Sequence, residues 1–232
     1  MPRARTSIDD YRQTAAASDG SGCLSLFSLP IFAVVLIACM ITALSLNMPI
    51  QTSALSSAPA AVDQPASTRI SPIFTREIQY WANDIARWAE ASSLDPNLAA
   101  VVMQIESCGD PRATSSAGAM GLFQVMPFHF HPGENPYEPN TNALRGMGYL
   151  SRSMNSSHGN VRLALAGYNG GIGVISRGEW TWSAQTLRYV YYGAPIYEDA
   201  RSGVTSSPKL EEWYRKYGAG LCRQASKRLG ID

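Results

Sequence analysis

Charge is scarce in this 232-residue chain. Asp, Glu, Lys and Arg supply 16% of its residues, against about 25% in an ordinary soluble domain. The shortage is local, because residues 20–62, between Asp19 and Asp63, hold no charged side chain at all. Nor is either sign in excess: 19 basic residues face 18 acidic ones, for a net charge of +1. That balance excludes a strongly basic nucleic-acid binder and a disordered acidic chain. Only three histidines are present. His129 and His131 flank Phe130 with no cysteine or acidic cluster at metal spacing, which reads as loop surface. No metal and no cofactor are expected. Strand alternation is also missing; only the Gly-rich stretch Ser115–Gln124 could form a short hairpin. The class is therefore mainly α.

The uncharged region begins with an apolar block, Cys23–Leu46, broken only by Ser, Thr and Pro30. As a helix of 24 residues it spans about 36 Å, enough to cross about 30 Å of hydrocarbon. Arg3, Arg5 and Arg12 precede it, and no Lys or Arg follows until Arg69. The positive-inside rule then places the N-terminus in the cytoplasm and the bulk of the chain outside. An uncleaved single-pass anchor is favoured over a cleaved signal peptide ending near Ser57–Ala61. It is also favoured over a lipobox at Leu36–Cys39, because Met40 and Ile41 prolong the apolar run. All three readings put the remainder on the extracytoplasmic side of the cytoplasmic membrane. The expected organisation is a cytoplasmic segment at 1–22, a transmembrane helix at 23–46 and a flexible Ala/Ser/Pro-rich linker at 47–71. A catalytic domain at 72–200 and a C-terminal helical extension at 201–232 follow.

Within the outer part, Ile78, Trp81, Ile85 and Trp88 recur at steps of three and four, one face of an amphipathic helix. Asp95 is a good N-cap and Pro96 suits a first turn, so a second helix starts there and ends near Ser107, before Gly109 and Pro111. Leu144, Met147, Leu150 and Met154 mark a third. Val161–Tyr168 marks a fourth, stopped by Gly170-Gly171, and Leu210, Trp213 and Tyr214 a last one.

Glu106 stands out on local grounds. It ends the Pro96 helix, where the macrodipole disfavours added negative charge, and Val102, Met103 and Ile105 surround it in sequence. Both influences favour the protonated carboxyl that a general acid requires. Around it, Gln104-Ile105-Glu106-Ser107, Asp110-Pro111, Ser115, Ala117-Gly118-Ala119 and Gly121-Leu122-Phe123-Gln124 occur in order. Asn135-Pro136, Asn142, Leu163–Asn169 and Gln185–Val190 continue the series. Together these resemble the catalytic domain of lytic transglycosylases, lysozyme-like enzymes that act on peptidoglycan. The resemblance implies a lysozyme-like helical fold and Glu106 as the sole acid/base. It implies cleavage of the MurNAc–GlcNAc β-1,4 bond to leave a 1,6-anhydro end, and substrate contacts from Ser115, Gln124, Met126, Tyr168 and Asn169. A dyad glycosidase needs a second carboxylate, whereas Asp110 sits in an Asp-Pro turn setting. The sequence departs from the family pattern at Phe123, where Met is common, at Gly167, where Ala is usual, and at Cys108-Gly109.

A hydrolytic muramidase of the same fold and a non-catalytic wall-binding module are the alternatives. The expected partners are peptidoglycan strands, and the membrane through the N-terminal helix; no nucleic acid is expected. Cys108 and Cys222 lie in a disulfide-permissive compartment, where a bridge would tie the tail to the end of the catalytic helix. The six basic residues between Lys209 and Arg228 read as a solvated face or as a contact for anionic wall polymer or lipid.

Overall fold

The computed structural model describes residues 70–232. The expected transmembrane segment at 23–46 and nearly all of the linker lie outside the described residues. Among those described, no helix is long and apolar enough to cross a membrane.

The architecture is helical. Among the described residues eight α-helices run α1 Arg76–Tyr80, α2 Ala82–Ala91, α3 Pro96–Glu106, α4 Pro139–Ser156, α5 Val161–Gly170, α6 Ala184–Arg201, α7 Pro208–Trp213 and α8 Ala219–Leu229. Between α7 and α8 the chain makes a π-helical turn, Tyr214–Gly218. The Gly-rich stretch forms only isolated antiparallel bridges, Thr114 with Met120 and Met120 with Val125. The continuous helix expected across Ile78–Trp88 is divided at Trp81, whose φ and ψ of −91° and 5° leave the helical region. Ile78, Trp81, Ile85 and Trp88 are nevertheless all buried, so the periodicity identified the inward face correctly.

The centre of the domain is α3. Asp95 caps it by accepting from Asn97 N–H at 2.8 Å, and Pro96 occupies the first position. Every residue from Leu98 to Gln104 is buried, which is why this helix is apolar all round rather than striped. Gln104, its one buried amide, is satisfied: Thr75 N–H and Oγ1 both donate to Oε1 at 3.2 Å. Helices α2 and α6 pack on α3, and α5 bridges α6 and α4. Gly193 permits the close approach of α6, since a Cβ there would lie 3.1 Å from Leu165 and 3.5 Å from Ile105. Two residues depart from their expected roles: Tyr214 is exposed and lies in the π-turn past the end of α7, and Leu144 faces outward. Leu144 is 61% exposed, because the inner face of α4 is carried by Ala143, Met147 and Leu150.

Helices α7 and α8 join the same core through Leu210, Trp213, Cys222 and Ala225. A disulfide links Cys108 to Cys222 with a Cα–Cα distance of 5.0 Å. Beside it, Gln224 donates to Asp110 Oδ2 at 2.7 Å, and Ser226 donates to Glu77. The tail is thus fastened to the end of α3.

Two departures from the family pattern have local reasons. Phe123 is fully buried against Trp88 at a ring distance of 6.2 Å, and it fits because Gly146 lies beneath it. A Cβ at Gly146 would sit 2.5 Å from that of Phe123. At Gly167 a Cβ would meet Ser153 Oγ at 2.3 Å and Ile175 Cδ1 at 2.6 Å. Ser153 is held in place by donating to Ala164 O at 2.7 Å, so the space an alanine would need is already filled.

Candidate active site

Glu106 is the last residue of α3, and its side chain lines a cleft of about 200 Å³. Ile105, Asn169 from the end of α5, and Gln185, Arg188, Tyr189 and Tyr192 from α6 share the lining. Trp213 and Tyr217 close it from the C-terminal tail. Burial pushes the Glu106 carboxyl up to about 8, opposed by the Tyr189 phenol. The negative end of the α3 dipole acts in the same direction as burial. No cation contributes to its titration, although Arg188 borders the same cleft. At neutral pH the carboxyl therefore carries its proton, as a general acid must.

Tyr189 is 5% exposed, and its hydroxyl is the one buried side-chain polar atom among the described residues without a hydrogen-bond partner. It stands near enough to Glu106 to oppose the rise without reaching hydrogen-bond geometry at rest. Burial first, and the Glu106 charge second, raise the phenol well above 10, so it stays protonated and remains a donor. An ionised Glu106 would offer it a partner, and a charge-assisted bond of that kind is worth more than a neutral one.

Tyr168 lies beside this pair. Burial, then the charge of Glu106, raises its hydroxyl well above 10, and the hydroxyl donates to Phe123 O at 2.7 Å. Its proton is committed to the loop that follows α3, so Tyr168 positions that loop against the acid. Asn169 is oriented by a relay: Thr186 Oγ1 donates to Asn169 Oδ1 at 3.1 Å, and Ser183 Oγ lies 3.0 Å from Thr186 Oγ1. With its oxygen engaged, the amide nitrogen is the donor left for the cleft.

The remaining expected contacts belong to the loop between α3 and α4 and are not part of the cleft lining. Ser115 Oγ accepts from Ala119 N–H at 3.0 Å and closes a turn. Gln124, at a left-handed φ of 46°, donates through Nε2 to Ala113 O and Gly121 O at 3.1 and 3.0 Å. Its Oε1 is the atom left to accept. Met126 is half-buried at the entry to a short 3₁₀ turn, Pro127–His129. Gly121 makes this loop possible. Its φ is 73°, and a Cβ would collide with Asn142 Nδ2 at 2.3 Å, the amide that ties the loop down by donating to Met120 O and Pro136 O at 2.8 Å. The His129 ring packs tilted against that of Tyr149, with centroids 4.8 Å apart, and neither His129 nor His131 joins a ligating cluster among the described residues.

Asp110 is excluded from the chemistry by its surroundings. It is fully buried, accepts from Arg112 N–H at 2.9 Å and from Gln224, and has Arg228 at 3.7 Å. Among the described residues, Glu106 is the only carboxyl that lines the cleft. Sequence reasoning gave Tyr189 no role beside Glu106 and assigned no site role to Arg188, Trp213 or Tyr217. The available signal was Cys108, two residues from Glu106. Pairing it with Cys222 brings the Trp213–Tyr217 pair, four residues apart, to the acid.

Residues 83–186 match the family described as Transglycosylase SLT domain. Over 114 residues the chain is 38% identical to a protein of Enterobacteria phage PRD1 named Transglycosylase, a match covering 48% of this chain and 40% of that protein. The chain thus aligns with well under two thirds of that relative's length. The matched span contains Glu106, Ser115, Gln124, Tyr168 and Asn169; it stops before Arg188 and Tyr189 and excludes the tail that closes the cleft.

Proposed function

We propose that the chain is a peptidoglycan lytic transglycosylase with Glu106 as its single acid/base, a reading supported by the match of residues 83–186 to the transglycosylase SLT domain. One observation carries this reading: a lone cleft carboxyl whose burial holds it protonated up to about pH 8. The proton of Glu106 passes to the glycosidic oxygen between N-acetylmuramic acid and N-acetylglucosamine, and the C1–O bond breaks. The carboxylate so formed accepts the proton of the muramyl C6 hydroxyl, whose oxygen bonds to C1. The product is a 1,6-anhydro end; no water is consumed and Glu106 regains its proton. Tyr189, a buried donor without a partner, stabilises the carboxylate during the interval when it is charged. A two-carboxylate hydrolase needs a second acid in the cleft; Asp110, locked under the tail, cannot serve.

The apolar segment at 23–46 and the arginines before it support a single-pass anchor, with the catalytic domain on the extracytoplasmic side of the cytoplasmic membrane. The Cys108–Cys222 bridge suits such an oxidising compartment. Digestion of purified peptidoglycan followed by mass analysis of the muropeptides tests the proposal. Anhydro ends are expected. Reducing ends would instead assign a hydrolytic muramidase, and intact glycan a wall-binding module.

A further inference from the structure

Arg188 does not serve the acid, yet it borders the acid's cleft. Its guanidinium stands 5.3 Å above the ring of Tyr217, a residue of the π-turn beyond the matched family span. The side chain is exposed, and no described carboxylate pairs with it. Nearby charges are already engaged: Glu212 holds Lys209 and Lys216, and Glu179 holds Arg162. Stacking fixes the plane of a guanidinium and leaves its edge donors pointing outward in a fork that matches a carboxylate.

The platform beneath it is built in. Tyr217 meets Tyr192 edge-to-face at 5.8 Å, and the π-turn is packed so tightly that a Cβ at Gly218 would lie 2.3 Å from the Trp213 ring. Arg188, Tyr192 and Tyr217 also line a second depression of about 510 Å³ beside the catalytic cleft. They form the saddle between the two. Lys216, Arg162 and Glu212 border the second depression as well; with Lys216 paired to Glu212 and Arg162 to Glu179, Arg188 is the cation of its lining without a carboxylate partner among the described residues.

Resting on the transglycosylase reading, we propose that Arg188, held on Tyr217, binds a carboxylate of the substrate where it leaves the sugar cleft. In peptidoglycan that group is either a free carboxylate of the peptide stem or the lactyl carboxylate of a muramyl residue without a stem. Arg188 is thereby a specificity-determining residue, supplied by α6 and the tail together.

The test compares the full-length protein with R188Q, R188K and Y217L on three soluble substrates: stem-bearing strands, the same strands with carboxylates converted to methylamides, and stem-free strands. Loss of a charge-assisted pair raises KM about tenfold for R188Q on the strands that carry the recognised carboxylate. On methylamide strands wild type and R188Q converge to within about twofold, because wild type loses the same contact. R188K recovers part of the loss and Y217L reproduces part of it. A selective effect on stem-bearing strands assigns the stem carboxylate; one on stem-free strands assigns the lactyl group. Equal KM ratios on all three substrates, or no change on any, overturn the inference while leaving the acid intact. A wild-type protein idle on every strand removes the reading on which it rests.

Discussion

Replacing Glu106 by Gln separates the cost of the acid to the fold from its use in the reaction. Burial raises the carboxyl from 4.5 to about 8, which corresponds to at most about 5 kcal/mol against the ionised form. The side chain borders an open cleft, and water there reduces the readable difference to about 2–4 kcal/mol. The sign follows from linkage. The folded state holds this proton more tightly than the unfolded chain, so wild-type stability falls as pH rises from about 4.5 to about 8 and levels off above. Glutamine resembles the neutral carboxyl and does not titrate. The Glu106→Gln protein should therefore match wild type near pH 4 and exceed it by about 2–4 kcal/mol at pH 8.5. Denaturant unfolding at a series of pH values, with the disulfide intact, measures this directly. Activity moves the other way: the variant should lose at least about 100-fold in kcat, and wild-type activity should decline above about pH 8. Parallel stability curves for the two proteins would refute the claim that burial holds the proton, and undiminished activity at pH 10 would refute the claim that the reaction needs it.

Three other outcomes follow from the packing. Cys222→Ser opens a bridge spanning a sequence separation of 114 and should cost about 3–5 kcal/mol under oxidising conditions. Because Trp213 and Tyr217 then lose their tether, KM should rise too, and reduced wild type should behave alike in both melting and kinetics. Asp110→Asn disturbs the hydrogen bonds to Arg112 and Gln224 and should cost about 1–3 kcal/mol with activity per folded molecule retained; a loss as deep as that of Glu106→Gln would reinstate a second catalytic carboxylate. Gly167→Ala places a methyl carbon against Ser153 Oγ and Ile175 and should destabilise by about 1–3 kcal/mol. Adding Ser153→Ala should restore part of that loss, and an unchanged melting temperature in the single variant would show that the site has room.

The position of Glu106 was legible because its determinants are local. Asp95 and Pro96 start α3, the apolar run lines its length, and Glu106 falls at its end; each is readable over eleven consecutive positions. Helix α6 was less legible: Pro195 lies inside it, and its buried stripe (Thr186, Tyr189, Val190, Gly193, Ile196, Tyr197 and Ala200) is built from Thr, Gly and Tyr as much as from aliphatic side chains. Ser115 and Gln124 were named from motif order alone. The structure shows that turn hydrogen bonds occupy the Ser115 oxygen and the Gln124 amide nitrogen.

By itself the sequence determined a mainly helical domain, the place of its central helix, the inward faces of most helices and the carboxyl at the end of α3. Periodicity and capping depend on neighbours three or four positions away, and those are written consecutively in the chain. Only the tertiary structure decided what surrounds that carboxyl. Tyr189 comes from 83 positions further on and reaches Glu106 because α6 packs on α3; Trp213 and Tyr217 come from more than a hundred, and one disulfide and a buried Asp110 hold the tail that carries them against α3. Burial, and with it the proton, is a property of that assembled wall, which no local pattern specifies.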